Sequence, residues 1–396
     1  MAGSVVDSDI LVIDVDTHVL EPPDLWTSRL GQKWGDSVPL VRWDESTQKE
    51  YWYIEGRRSG ALGGPAQAGW SEFPPDHPPR WSDIDAKLWD APKRLEVMDE
   101  YGIYAEVLYP NVAVFGSAQL QQMSNPEMLL DCITAYNDFQ TEWSAPAPER
   151  LLPITVLPFW DLEKSLAEME RCAAAGHRGI SFSQEPGHFG LEPLVSRHWD
   201  PLWAAAQEMG QSVNFHIATA DSAPAEYATN AIENLGAKLH AMRASSGVQF
   251  FLGNAATIIK LICGGICHRF PRLDFVTVES GIGWIPFALE ALDWQWKNLG
   301  VPEKEPEYDL LPSEYFRRQI YGCFWFEEAS AKFAIETLGP DNILYETDYP
   351  HPTSMSPGPA TAAIDPKEYY EGLLGDFPYE TRYKILRGNA ERIYRI

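Results

Sequence analysis

Short runs of β-branched and aromatic residues recur along the chain, and most are followed by a longer stretch whose apolar positions return every three or four residues. The runs predict strands at Leu11 to Val15, Ala105 to Tyr109, Pro153 to Leu157, Gly179 to Phe182, Ser212 to His216, Phe275 to Glu279, Tyr321 to Phe326 and Ile343 to Thr347. Between them, Leu162, Leu166, Met169 and Cys172 share one face of a predicted helix over Asp161 to Ala175. Trp199 to Met209 and Ser330 to Leu338 read the same way, and Tyr379 to Ile396 reads as a closing helix. Strands that alternate with helices pair in parallel through crossovers, so eight such units predict an α/β fold, a (β/α)8 TIM barrel, as one domain over residues 1–396. The alternative is an open doubly wound sheet. That fold would be favoured by a glycine-rich phosphate loop after the first strand, where this chain instead has Asp16-Thr17-His18-Val19-Leu20-Glu21.

One segment breaks the alternation. From about residue 28 to 90 the chain is rich in Pro, Gly and Trp, including Trp43, Trp52, Trp70, Trp81 and Trp89. Leu40 to Trp43 and Glu50 to Ile54 flank Asp44-Glu45-Ser46 and predict a small β-hairpin. A structureless loop of this length is uncommon in a compact domain, and so many tryptophans in water would expose a large apolar area. The segment is therefore expected to fold as an insertion that serves as a lid or a subunit contact, in a homodimer or higher homo-oligomer.

Composition narrows the partners. The 396 residues carry 31 basic and 57 acidic side chains, a formal charge of −26 that opposes binding to nucleic acid or anionic membrane surfaces. Hydrophobic residues at 45% and charged residues at 22% are those of a folding globular chain. No stretch approaches about 20 uninterrupted apolar residues; the run from Ile258 to Ile266 contains Lys260 and two glycines. The start, Met1 to Asp9, has no basic residue of a secretory signal. Cys132, Cys172, Cys263, Cys267 and Cys323 form no C-x-x-C pair, so a reducing cytoplasmic setting is expected. Cys263 and Cys267 are four apart among Ile and Gly and are read as small buried hydrophobes.

Catalytic groups of such a barrel come from the C-terminal ends of its strands. The first strand ends in Asp14-Val15-Asp16-Thr17-His18, and alternation turns Asp16 and His18 to one side, as two ligands of one ion require. The fifth ends in His216, the sixth in Glu279 and the eighth runs into Asp348. Each alone is weak evidence, since a strand-end His or Asp is commonly a structural hydrogen-bonding group. Together they form a mixed N/O set without thiolate, which suits a catalytic Zn, Mn or Fe and not a closed structural zinc site. His77, His177, His198, His240 and His268 are read as structural, whereas His188 and His351 lie in loops just past strand ends. Tyr109 and Trp284 at or beyond strand ends, with the Trp-rich segment, point to a flat apolar or aromatic small-molecule substrate, against the plain reading that these rings fill a core.

Several phrases resemble a known family. Ile13 to Pro22, Tyr109-Pro110, Arg269-Phe270-Pro271, Glu279 to Pro286, Thr347-Asp348-Tyr349-Pro350-His351 and Gly388-Asn389-Ala390 are similar, in order and over nearly the whole chain, to amidohydrolase-related proteins of the aminocarboxymuconate semialdehyde decarboxylase type. The resemblance implies a (β/α)8 barrel with one divalent metal, zinc as the first choice and manganese or iron as alternatives. It maps Asp16 and His18 onto the first-strand ligands, His216 onto the fifth-strand ligand and Asp348 onto the eighth-strand carboxylate. Two departures stand out: Asp16 replaces the first histidine of a common His-x-His, and Glu279 replaces a common sixth-strand histidine. If Asp16, Asp348 and Glu279 are all ionised, a dication keeps a local charge of about −1, which opposes a substrate carboxylate. The expectation is therefore a hydrolase acting through a metal-activated water. Asp348 is its base, with a pKa raised by crowding carboxylates, and Glu279 is the polariser or second base. Non-oxidative decarboxylation of an aromatic or unsaturated acid is the alternative, and a ligand-binding barrel without catalysis the third reading.

Overall fold

The first strand explains much of its neighbourhood. In the computed structural model, which describes residues 10–112, 123–217, 219 and 239–396, all seven residues of β1 (Val12–His18) are buried. A strand covered on both faces requires partners for its polar groups as well as its apolar ones. The chain divides into two units, one running up to Arg178 and including Glu346–Gly375, the other comprising Gly179–Tyr345 and Asp376–Ile396.

In the first unit, β1 pairs in parallel with β5 (Ile103–Tyr109), and β5 with β6 (Leu151–Pro153). Helices Ala91–Tyr101 and Pro126–Ser144 intervene, as parallel pairing demands. Their starts are written in sequence: Asp90 accepts from Lys93 N at 3.1 Å, and Asn125 accepts from Glu127 N and Met128 N at 3.0 and 3.2 Å. The first of these helices stops at Gly102, whose φ of 70° is the left-handed value that glycine adopts without a Cβ clash. The strand predicted over Pro153 to Leu157 is two short pieces, β6 and β7 (Thr155–Val156). Pro153 has no N–H to offer a ladder, and its carbonyl accepts from Arg178 N at 2.9 Å.

The Trp-rich segment is ordered. The predicted hairpin is present as antiparallel β2 (Leu40–Asp44) and β3 (Lys49–Ile54), and β4 (Arg57–Ala61) extends it to a three-stranded sheet. The third strand lacks an apolar alternation, so the pattern did not predict it. It is held by pairing with β3, by Arg58 to Asp44 at 2.9 Å and by the Arg58 guanidinium 4.7 Å over the Tyr51 ring. Trp52 is buried edge-on to Trp26, ring centroids 5.3 Å apart, in a core shared with Leu25, Met128 and Tyr136.

In the second unit, β8 (Gly179–Ser181), β9 (Ser212–His216), β10 (Phe275–Val278), β11 (Ile320–Phe324) and β12 (Ile343–Tyr345) form a parallel sheet in sequence order. Helices Asp200–Met209 and Ala329–Leu338 lie where predicted. The closing helix is one helical run with a π turn at Lys384–Gly388 between Tyr379–Tyr383 and Asn389–Tyr394. His240–Cys263 has a mean hydropathy of 1.3 and is long enough to cross a membrane by length and composition alone. Its C-terminal half packs as a core helix: Asn254, Thr257, Ile258, Leu261 and Ile262 are buried, and Asn254 donates to the Phe215 carbonyl at 2.9 Å.

Candidate metal centre

In the first unit, the end of β1 carries Asp16 and His18 on one side, as alternation predicts, with Asp16 Oδ1 3.5 Å from His18 Nε2. The segment Glu346–Tyr349 runs alongside. Asp348 N donates to the Asp16 carbonyl at 2.9 Å and His18 N to the Tyr349 carbonyl at 2.7 Å. Asp14 fixes the two stretches together, because its carboxylate accepts from Asp16 N at 3.1 Å, Thr347 N at 3.0 Å and the Thr347 hydroxyl at 2.5 Å. Asp348 has φ of 59°, a left-handed value uncommon for a non-glycine residue and held here by those hydrogen bonds. As a result, its Oδ1 sits 3.3 Å from His18 Nε2 and 2.8 Å from His351 Nδ1, while the Thr353 hydroxyl donates to its other oxygen. The His18 and His351 rings stack 3.7 Å apart.

The tautomers follow from the partners. His18 Nδ1 lies 3.2 Å from the Pro110 carbonyl, which can only accept, so Nδ1 carries the hydrogen and Nε2 presents its lone pair toward the carboxylates. This is the arrangement of a metal-ligating imidazole. Asp348, His18 and His351 each offer a ligand atom within 4.8 Å of the others. A buried set of carboxylate oxygens and a lone-pair imidazole nitrogen fits a divalent ion. His351 differs: Asn111 uses its Nδ2 to donate to the Val19 carbonyl at 2.8 Å, which turns its Oδ1 to His351 Nε2 at 2.6 Å. Asn111 is held in turn by Glu21, which accepts from the backbone N–H groups of Asn111 and Val112 at 2.9 Å each.

The charges correct one expectation. Burial alone would push Asp348 up, but the His351 imidazole holds it well below the ordinary carboxylate range. Crowding by carboxylates was expected to raise it; Asp16 does lie close, but the nearer His351 imidazole, 2.8 Å away, outweighs it. Burial works to lower His351, and the Asp348 carboxylate outweighs it and raises the imidazole. The carboxyls that burial raises at this end are Asp14, with the repulsion of Glu106 added, and Glu106 itself.

An arginine absent from the sequence argument stabilises this end. Arg94 is fully buried and donates to Glu106 at 3.0 Å, to the His18 carbonyl at 2.8 Å and to the Leu88 carbonyl at 3.2 Å. The available signal was its spacing with Val97 and Met98, which places an arginine on the buried helix face. Tyr109 is buried at the end of β5, its ring 6.2 Å from that of His18. A cavity of about 410 Å³ opens at His351 and Asn111, walled by Trp52, Gly60, Ala61, Gly64 and Val112.

In the second unit, β9 ends in His216, whose Nδ1 lies 3.0 Å from the Ile217 carbonyl and whose Nε2 is 3.3 Å from Glu279 Oε2. Glu279 follows β10 with φ of 53°. Asn254 ties the two strand ends together, donating to Phe215 O at 2.9 Å and Val278 O at 3.2 Å. Trp284 is half-buried and donates to Ser280 O at 2.8 Å, and His188 is exposed on the turn Pro186–Phe189. Of the histidines read as structural, His177 bonds Thr141 and Thr155 at 2.9 and 3.1 Å, and burial lowers it to about 4. Cys263 is exposed and Cys267 buried, and no group of potential ligands among the described residues includes a cysteine.

Residues 13–396 match the amidohydrolase family (Amidohydro_2). The gamma-resorcylate decarboxylase of Polaromonas sp. is 24% identical over 283 residues, 68% of this chain and 80% of that one. Among solved structures, an amidohydrolase from Mycobacterium avium subsp. paratuberculosis superposes with a TM-score of 0.74 at 19% identity, covering 98% of this chain and 99% of its own. A dihydroxybenzoic acid decarboxylase from Polaromonas sp., solved with manganese and 2-nitroresorcinol, gives 0.63 at 18% identity, covering 97% and 96%. These likenesses carry the expected (β/α)8 fold class, and the match across residues 13–396 bears out the resemblance of the sequence phrases: the chain belongs to the amidohydrolase family.

Proposed function

We propose that the protein is a metal-dependent, non-oxidative decarboxylase of a hydroxylated aromatic acid, the reaction that ranked second on sequence alone. The observation that carries this reading is that the decarboxylases named above act, by their names, on dihydroxybenzoic acids; it is supported by a carboxylate–imidazole cluster in the first unit that shares His351 with the lining of a ligand-sized cavity. The charge argument for a neutral substrate counted Asp16, Asp348 and Glu279 and left out His351, whose Nδ1 is 2.8 Å from Asp348. An imidazole in that place offsets one carboxylate and makes entry of an anionic acid less costly.

Asp16, His18 and Asp348 would hold the divalent ion. The role of His216 as a further ligand rests on the family pattern and is tested separately. When bound, the ion supplies a chelating centre for the substrate carboxylate and an adjacent ring hydroxyl. The chain's own residues do the rest. His351 and Asn111 present polar atoms at the cavity mouth, and the apolar wall excludes water from the ring. The C–C bond to the carboxylate breaks, CO2 leaves, and the electron pair left on the ring carbon takes a proton from the Asp348–His351 pair.

The test is carbon dioxide release from 2,6-dihydroxybenzoate and related hydroxybenzoates by manganese-loaded protein, with neutral cyclic amides and esters as controls. Asp348→Asn is expected to lower turnover by at least ~100-fold. His216→Ala is expected to lose stoichiometric metal. Hydrolysis of the neutral controls without CO2 release from any acid would overturn the decarboxylase reading and restore the hydrolase.

A further inference from the structure

The cavity of the first unit is larger than the reaction needs. A space of roughly 150 Å³ accommodates a bare benzene ring, and this one measures about 410 Å³. Asn111 and His351 line it beside Val112 and Pro352, and the rest of the lining is Trp52 of β3 with Ser59, Gly60, Ala61, Gly64 and Pro65 from β4 and the turn after it, where Ser59 is the one polar side chain. A flat acid whose carboxylate and hydroxyl meet Asn111 and His351 would turn its far edge toward the sheet residues. Trp52 is set before any ligand arrives, since it is 3% exposed and packs edge-on against Trp26. Gly60 in the neighbouring strand leaves room where a side chain would stand: a Cβ there meets nothing within 4 Å.

We propose that the β2–β4 sheet is the wall that selects ring substituents, with Trp52 as the specificity-determining residue, and that the preferred substrate is an aromatic acid carrying an apolar substituent on the edge away from its carboxylate. The class of acid rests on the decarboxylase reading; the wall does not. The substituent lies over Trp52 and the Gly60–Ala61 backbone beside it, and its burial there supplies affinity that an unsubstituted ring lacks.

Binding of 2-nitroresorcinol and of its 5-propyl derivative to the full, manganese-loaded chain tests this by calorimetry, with no turnover required. The wild type is expected to bind the propyl compound at least ~10-fold more tightly, the scale set by three buried carbons. Gly60→Leu fills the space and is expected to abolish or reverse that preference, and Trp52→Leu to reduce it severalfold. Should Trp52→Leu fail to fold, Gly60→Leu decides alone, because its site is open. Equal affinity of the wild type for the two compounds, binding of neither, or an unchanged preference in Gly60→Leu overturns the proposal. A shifted preference in protein that decarboxylates no acid leaves the wall standing and removes the decarboxylase reading.

Discussion

β1 and β9 both end in a histidine whose Nδ1 faces a backbone carbonyl, yet the two strand ends are stabilised by different chemistry. Around β1 the buried partners are charged: Asp14, Asp16, Glu106 and Arg94. Around β9, apart from Glu279 beside His216, they are amides and hydroxyls. Asn254 bridges Phe215 and Val278, Gln184 donates to Asn254 at 2.8 Å, and the Tyr394 hydroxyl donates to Asn214 at 3.0 Å. A neutral clamp loses little more than its hydrogen bonds when one member is removed. A charged one leaves an uncompensated ion in a medium that solvates it poorly. The first strand end should therefore be much less tolerant of substitution than the second.

The largest expected effect tests that difference directly. Arg94→Met leaves Glu106 buried without its cation and is expected to destabilise the fold by ~3–5 kcal/mol, read from denaturant unfolding. The double variant Arg94→Met, Glu106→Gln should recover much of the loss. If the single variant is no worse than an amide deletion in the other unit, the contrast between the two ends is broken.

Acid lability sharpens the comparison next. His177 belongs to the first unit but stands apart from the charged cluster, and its two threonine partners suit the neutral ring: Thr141 donates its hydroxyl to Asn137 O and so accepts from Nε2. Its folded pKa of about 4 lies below the unfolded value of about 6.5, so the unfolded chain binds the extra proton between these limits. Stability is whole above pH about 6.5 and falls by about 3 kcal/mol as pH drops toward 4. His177→Gln should flatten that part of the profile. An unchanged slope would assign the acid sensitivity of the unit to the carboxylates at the β1 end instead.

The smallest effect is expected in the second unit. Asn254→Ala removes donors from Phe215 O, Val278 O and Ser280 Oγ and an acceptor from Gln184. Loss of such a neutral clamp should cost ~1–3 kcal/mol in the same unfolding experiment. A loss as large as that of Arg94→Met would show that the amide clamp at β9 matters as much as the ion pair behind β1.

The periodic strands were legible because alternation and β-branched runs are local: β9 lies at Ser212–His216 as expected, and β1 runs on to include His18. So was the pairing of Asp16 with His18, two positions along one strand. β4 was not legible, since Arg57-Arg58-Ser59-Gly60-Ala61 carries no pattern of its own and becomes a strand only against β3. Nor was the charge state of Asp348. The acidic residues at other strand ends suggested crowding by carboxylates, and in the first unit the His351 and His18 imidazoles stand 2.8 and 3.3 Å from its Oδ1.

The sequence by itself determined where most of the parallel strands lie, which of them end in ligand-type side chains, and to which family the chain belongs, because these depend on neighbours a few positions apart or on phrases read in order. Only the tertiary structure decided what each ligand-type group feels. The hydrogen bonds that set Asp348 beside β1 join Asp14 to Thr347, 333 positions away, and the cation behind His18 comes from a helix face 76 positions on. Desolvation, tautomer and charge are fixed by whatever the fold brings within a few ångströms, and residue spacing along the chain carries no information about that.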